Sequence, residues 1–280
     1  MIFSAFATVL GLILGSFINV VVLRFNSGKR ITGRSQCFSC GKQLHWYELI
    51  PVLSFVWLRG RCSQCKSEIS IQYPLVEVSS GVMFFILYSK FFPTGIFGSF
   101  LIQNSLFFIL SVVLWLSLVI IFVYDIRHKI IPDIFSAVFF LSALGITSLA
   151  TYVSGNYRLI LNHVIAALVL SAFFFLLWFF SNGRAMGFGD VKLSLGIGMY
   201  LGIASGLSAI AYAFWIGALY ALSKIGYQKI KMMGTSQLSS GEIALTMKSE
   251  VPFAPFLIIG TWLAFLLGSD IFHVSFFLNV

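Results

Sequence analysis

Seven long apolar runs, near residues 2–23, 75–92, 100–124, 134–153, 159–181, 193–223 and 253–268, dominate this 280-residue chain. A helix needs about 20 apolar residues to cross a bilayer. In lipid the backbone must satisfy its own polar groups, so spans of this kind assemble as an all-α bundle. The composition agrees, with 59% hydrophobic residues, 31 Phe and only 10% charged residues, and a mean hydropathy of +0.97. An ordinary soluble domain carries about a quarter charged residues. The run 193–223 is too long for one span and contains Gly202 and Gly206. It is expected to break there into two short spans joined by a tight outer turn. The expectation is an all-α polytopic membrane protein of about eight transmembrane helices, with seven as the alternative.

No basic residue precedes the first run, and no small-residue cleavage site closes it; Arg24, Lys29, Arg30 and Arg34 come after it. A secretory signal has the opposite order, so 2–23 is expected to be a retained helix. With eight spans, alternate loops (24–73, 125–133, 182–192 and 224–252) fall on one side of the membrane. They hold 8, 2, 2 and 4 Lys/Arg, which is 16 of the 18, leaving Lys90 and Arg158 for the other side. That asymmetry follows the positive-inside rule. It places the basic loops in the cytoplasm and both termini outside. The net charge of +9 is then explained by insertion and attraction to anionic lipid, not by nucleic acid. Three regions result: a first helix at 1–23, a cytoplasmic loop domain at 24–73, and a membrane bundle at 74–280.

All four cysteines lie in the loop domain, as Cys37-x-x-Cys40 and Cys62-x-x-Cys65. Two such knuckles bring four thiolates to the corners of a tetrahedron, the geometry of a structural Zn²⁺ site. Disulfides or idle thiols are the alternative, but a reducing cytoplasm disfavours disulfides. His45 is a further possible ligand, or a solvated loop histidine. Four protein ligands leave no open position for water, so the metal would hold a small domain together.

Acids at membrane depth are costly and point to function. Asp125 closes the run 100–124, and either works chemically or pairs with Arg127 or Lys129 at a helix end. Asp133 follows Pro132 and precedes an apolar run, so it reads as a helix N-cap. Asp190 sits in Gly187-Phe188-Gly189-Asp190-Val191-Lys192. It reads either as a cap or as an acid on a backbone that glycine opens to close approach. Gly196, Gly198 and Gly202 just beyond favour close helix packing. Asp125 and Asp190 share the cytoplasmic side. Two neighbouring carboxylates divide acid and base roles as in aspartic proteases.

The ordered series of motifs resembles the bacterial type IV prepilin peptidases (leader peptidase/N-methyltransferases) over nearly the whole chain. The resemblance is carried by Gly15-Ser16-Phe17-Ile18-Asn19-Val20 with Arg24, by both CxxC knuckles, and by Trp46 to Ser54. It continues through Leu58 to Cys62, Ile69 to Glu77, the segment 125–133, and Gly187 to Lys192. It implies an intramembrane aspartic protease of the GxGD type, a class shared with presenilin-like enzymes. Asp125 and Asp190 would be catalytic, supported by Gly187, Gly189 and Lys192. The implied substrates are prepilins and pseudopilins, cut after a glycine at the cytoplasmic face of the bacterial inner membrane.

Members with the cysteine-bearing loop are usually bifunctional and methylate the new N-terminal amine with S-adenosylmethionine. The resemblance places that activity near Asn19, Arg24 and Glu77, although Glu77 also reads as an interfacial acid pairing with the basic loop. One departure is Ala254, where the family commonly has glycine. A peptidase with an inactive methyltransferase half, and a proton-coupled transporter, are the competing readings.

Overall fold

The computed structural model describes residues 2–26, 33–93, 101–184, 186–234, 252–268 and 270–272. Lys29, Arg30 and most of the 224–252 loop lie outside the described residues. Eight α-helices occur among the rest: α1 (Ile2–Arg24), α2 (Leu53–Trp57), α3 (Gln72–Phe91), α4 (Leu101–His128), α5 (Asp133–Ser154), α6 (Tyr157–Phe180), α7 (Phe188–Gly234) and α8 (Ala254–Leu267). No named strand is present among the described residues; two isolated bridges, Gln36 with Gln43 and Arg61 with Glu68, are the only β pairing there. Among the described residues six helices are long and apolar enough to cross a membrane, and α8 is a shorter apolar helix.

Helix α7 is counted as one of those six, yet it is two limbs. Gly202 has φ 72° and ψ −173°, outside helical geometry. A Cβ built on Gly206 would lie 4.0 Å from the Cα of Gly198. Eight residues of straight helix would separate them by about 12 Å, so the chain doubles back at Gly202. The reversal is tied down from α6, where Asn162 Oδ1 accepts the Ile203 N–H at 3.1 Å. With the two limbs counted separately, the apolar segments number eight. The expected break at Gly206 does not occur: that residue is helical, and its bare Cα faces Leu170 Cδ1 of α6.

The chain divides into two units, Met1–Val123 and Tyr124–Val280. In the first, α1 packs against α3 through Gly11 and Gly15. A Cβ at Gly11 would fall 2.7 Å from Ser80 O, and one at Gly15 would fall 2.8 Å from Glu77 Cα. The four-residue spacing is the small-residue pattern that lets membrane helices approach backbone to backbone. Rings of Phe84, Tyr88 and Phe91 on α3 meet Phe107 and Phe108 on α4. In the second unit the first limb of α7 is enclosed by α5 and α6. Gly196 faces the Phe139 ring, and a Cβ on Gly198 would fall 2.5 Å from Ala167 N. Thr147 Oγ1 donates to Met199 O at 2.8 Å. The glycine-rich stretch after Asp190 therefore does pack closely, as its composition suggests.

Candidate active site and metal centre

The second unit brings Asp125 and Asp190 together. Asp125 lies one turn before the end of α4, which stops where Lys129 enters the left-handed region (φ 54°). Asp190 lies in the first turn of α7. Both side chains are buried, at 5% and 6% exposure, and Asp125 is within electrostatic reach of Asp190. Asp125 Oδ2 and Asp190 Oδ1 each lack a hydrogen-bond partner. Buried polar atoms are normally satisfied, so two orphaned carboxylate oxygens in one place mark a spot prepared for another polar group. No ion pair between Asp125 and Lys129 is present among the described residues.

The surroundings of Asp190 explain its two glycines differently. A Cβ on Gly189 would lie 2.9 Å from Ile131 Cβ, so that glycine admits the connection between α4 and α5. A Cβ on Gly187 would meet only Asp190 Oδ2 and Gly189 N, each at 4.0 Å. The space over Gly187 is open beside the acid. Asp133 is not the cap expected of it. Pro132 occupies the N-cap of α5 without a side-chain bond, and Asp133 is the first helical residue. Its carboxylate instead takes Lys192 Nζ at 2.6 Å. Local sequence logic favours the cap because the partner is 59 residues away.

In the first unit, Asn19, Ser80 and Glu77 form a buried polar cluster along the α1–α3 seam. Asn19 Nδ2 donates to Gly15 O (3.4 Å) and Tyr73 O (3.3 Å), while its Oδ1 and the Ser80 hydroxyl are unpartnered. Glu77 accepts the Val52 N–H at 2.7 Å and bonds Ser16. It therefore binds a backbone amide of the loop rather than a basic side chain. Arg24 donates to Gly33 O and Arg34 O, both at 3.2 Å. It clasps the start of the loop domain.

The four cysteines are all free thiols, with their sulfurs within 4.8 Å of one another. Cys37 Sγ and Cys65 Sγ are 3.8 Å apart, the separation that a tetrahedron with metal–sulfur bonds of about 2.3 Å requires. The knuckles repeat one hydrogen-bond pattern. Cys37 N bonds Lys42 O, and Cys62 N bonds Ser67 O, both at 2.9 Å; Gly41 N bonds Cys37 O, as Lys66 N bonds Cys62 O. Each turn passes through a left-handed residue, Gly41 or Lys66. The amides of Cys40 and Ser39, with the Ser67 hydroxyl, hold the Cys37 thiol down to about 6. The Lys42 amide favours the Cys40 thiolate, but burial and the other thiols outweigh it and push that group up to about 11. A cation would relieve that crowding, so the donor set fits a metal. His45 stays outside the cluster, its ring stacked on Tyr47.

Sequence reasoning missed the strut beside this centre. Glu48 is buried and accepts Lys42 Nζ at 2.9 Å, the His45 N–H at 2.8 Å and the Ser63 hydroxyl. It thus joins one knuckle to the other. Burial alone would raise this carboxyl, but those three donors hold it at about 2. The nearest signal was the His45-to-Glu48 spacing, which matches a reciprocal helix-start bond.

Residues 9–91 match the Bacterial Peptidase A24 N-terminal domain and residues 110–222 match the Type IV leader peptidase family. The prepilin leader peptidase/N-methyltransferase of Bacillus subtilis (strain 168) is 31% identical over 279 residues, covering 97% of this chain and 96% of the relative. That of Pseudomonas putida is 28% identical over 296 residues, covering 96% and 92%. That of Myxococcus xanthus (strain DK1622) is 47% identical over 91 residues, covering 32% and 27%. No solved structure matches significantly. The acid pair, the four-cysteine loop and the span of these similarities together place the chain in the bacterial type IV leader peptidase family, alongside proteins named prepilin leader peptidase/N-methyltransferase.

Proposed function

We propose that this multi-pass membrane enzyme cleaves the leader peptide from type IV prepilins or pseudopilins and then N-methylates the new terminal residue. The observation that carries the peptidase half is the pair of buried, unsatisfied carboxylates, Asp125 and Asp190. Two such groups titrate as a unit. One carboxylate takes a proton from water as the water attacks the scissile carbonyl; the other, carrying a proton, hydrogen-bonds the carbonyl oxygen. Gly187 leaves room for a substrate strand beside Asp190, and Lys192 and Gly189 hold the loop that carries it.

Zn²⁺ is the metal we assign to Cys37, Cys40, Cys62 and Cys65. It is a structural ion with a full set of thiolate ligands. S-Adenosylmethionine supplies the methyl group when bound. Asn19 Oδ1 and Glu77 offer the acceptors that its ammonium or hydroxyl groups require, and Arg24 secures the adjoining loop. The charge asymmetry supports cytoplasmic basic loops, both termini outside, placement in the bacterial inner membrane, lipid contact and no nucleic-acid partner. A proton-coupled transporter would use the same acids as relays, but it gives no role to the cysteine domain.

Co-expression with a prepilin and mass measurement of the product separates the readings. Leader lost with an added methyl group is expected. Leader lost without methylation leaves a peptidase alone, and a retained leader points to transport. Asp125→Asn and Asp190→Asn should each slow cleavage by at least roughly 10³-fold while the protein still inserts. Normal processing by either variant would remove that residue from the mechanism.

A further inference from the structure

The loop domain contains a segment whose composition is wrong for water. Residues 49–58, Leu49 to Leu58, carry no charge, although they lie between the two cysteine knuckles of a polar domain. Two short helical pieces make up this stretch, a 3-10 turn at Trp46–Leu49 and α2 at Leu53–Trp57, parted by the non-helical Val52. Both pieces leave apolar side chains uncovered: Trp46 is 77% exposed, Leu53 65%, Val56 67% and Trp57 85%. Phe55 points the other way, against Gly60. A contiguous apolar surface of this kind marks a contact with lipid or protein. A short apolar stretch of about 10 residues is too short to span but suits an interfacial or re-entrant element.

The position of the segment identifies the occupant. Its centre is pinned to a membrane helix, because Val52 N–H donates to Glu77 Oε2 at 2.7 Å. Val52 itself is held at φ 61°, a conformation that β-branched residues avoid. Glu77 lies level with Gly15 of α1. The first charged residue of α1 is Arg24, nine residues further on, or about 13 Å along the helix axis. The backbone at Val52 is therefore bonded to the side chain of a helix position about 13 Å deeper than that charge, which brings it to the boundary of the hydrocarbon. Trp46 and Trp57 suit the membrane–water boundary, and exposed Arg59 and Arg61 follow immediately, placed to reach phosphate groups.

We propose that residues 46–58 form a lipid-embedded wedge. Through it the cysteine domain inserts its exposed apolar face into the acyl and headgroup boundary of its own bilayer, anchoring the domain beside the Asn19–Glu77 cluster. The wedge does not depend on the proteolytic assignment, since every contact used lies in the first unit.

The test uses the full-length, metal-loaded protein in nanodiscs of phosphatidylethanolamine and phosphatidylglycerol. Subtracting the emission of Trp57→Phe from that of the wild type isolates Trp57; Trp46→Phe isolates Trp46 likewise. The isolated Trp57 signal is expected to be blue-shifted, to lose most of its intensity to lipids brominated on their acyl chains, and to resist acrylamide. Red-shifted emission that acrylamide quenches and bromine does not would overturn the wedge. So would a Trp57 signal that turns blue only when a prepilin is added, since the face would then belong to the substrate helix.

Discussion

Lys192 Nζ lies 2.6 Å from Asp133 Oδ1, joining the start of α7, two positions from Asp190, to the first residue of α5. Both side chains are substantially exposed, at 38% and 78%. An exposed pair contributes only about 0.2–1 kcal/mol to stability. Its value is geometric. With Ile131 seated on Gly189, it fixes the connection between α4 and α5 against the turn that carries Asp190. Lys192→Met is expected to leave thermal stability nearly unchanged and to lower kcat for leader cleavage roughly 10- to 100-fold, the cost of a catalytic group misplaced by about an ångström. KM should move little. The reversed pair Lys192→Asp with Asp133→Lys should recover much of that loss. A double variant no better than the singles would show that the ion pair does not position the acid.

The cysteine centre makes a separate prediction. Purified protein should contain one zinc per chain, and Cys37→Ser should lose it. Structural zinc sites of this kind contribute on the order of 10 kcal/mol to the folding of small domains. Metal removal by a chelator should therefore open residues 34–70 to protease and abolish methylation, with leader cleavage affected less. Normal methylation by protein shown to be zinc-free would overturn the assignment.

How far the sequence carried these conclusions depended on the range of each interaction. The spans were legible because hydropathy is a local property, and α1, α3, α4, α5, α6 and α8 begin and end within a few residues of their apolar runs, while α7 continues 11 residues past its run. The cysteine cluster was legible because CxxC spacing brings a pair of sulfurs together locally. The acid pair was legible because charge at membrane depth is costly. Partners chosen across long separations were not. Asp133 looked like a cap because the favoured cap position is a local pattern, whereas Lys192 comes from another helix. Glu77 read either as a methyltransferase residue by resemblance or as an interfacial acid pairing with the basic loop, and nothing in its neighbours indicated that the Val52 amide would be its partner. The strut of Lys42, Glu48 and Ser63 was equally hidden, since no motif links those three positions.

That strut has a defined pH behaviour. Glu48 is held at about 2 when folded, below the ordinary glutamate value of about 4.3. A depressed carboxyl contributes stability that is fully present above the unfolded value and is lost as pH falls through it towards the folded value. Its contribution is therefore constant from pH 5.5 to 8. Glu48→Gln should leave the Lys42 ammonium poorly matched and increase proteolytic nicking of the loop domain about tenfold. The gap between variant and wild type should be the same at both ends of that range. A gap that closes at pH 5.5 would assign the effect to another group.

Gly202 and Gly206 look alike in sequence, and the structure gives them opposite sensitivities. Gly202 combines φ 72° with ψ −173°, a region essentially reserved for glycine, where strain costs about 1–3 kcal/mol for other residues. Its flanks are also crowded, with Asn162 Oδ1 3.0 Å and His163 Nε2 3.3 Å from a built Cβ. Those are the side chains that anchor the reversal, because Asn162 accepts the Ile203 N–H and His163 Nδ1 bonds Met199 O at 2.8 Å. Gly206→Ala is crowded only by the flexible end of Leu170 at 2.7 Å, which can rotate aside, its approach to the Gly198 Cα at 4.0 Å being ordinary contact, and it gains helix propensity in exchange. Gly202→Ala should lower unfolding stability in a detergent titration by at least about 1 kcal/mol. It should also slow leader cleavage, since the limb that begins beside Asp190 ends at this turn. Gly206→Ala should change both by less. Equal effects of the two substitutions would mean that the hairpin geometry at Gly202 is not what sets the first limb of α7 in place.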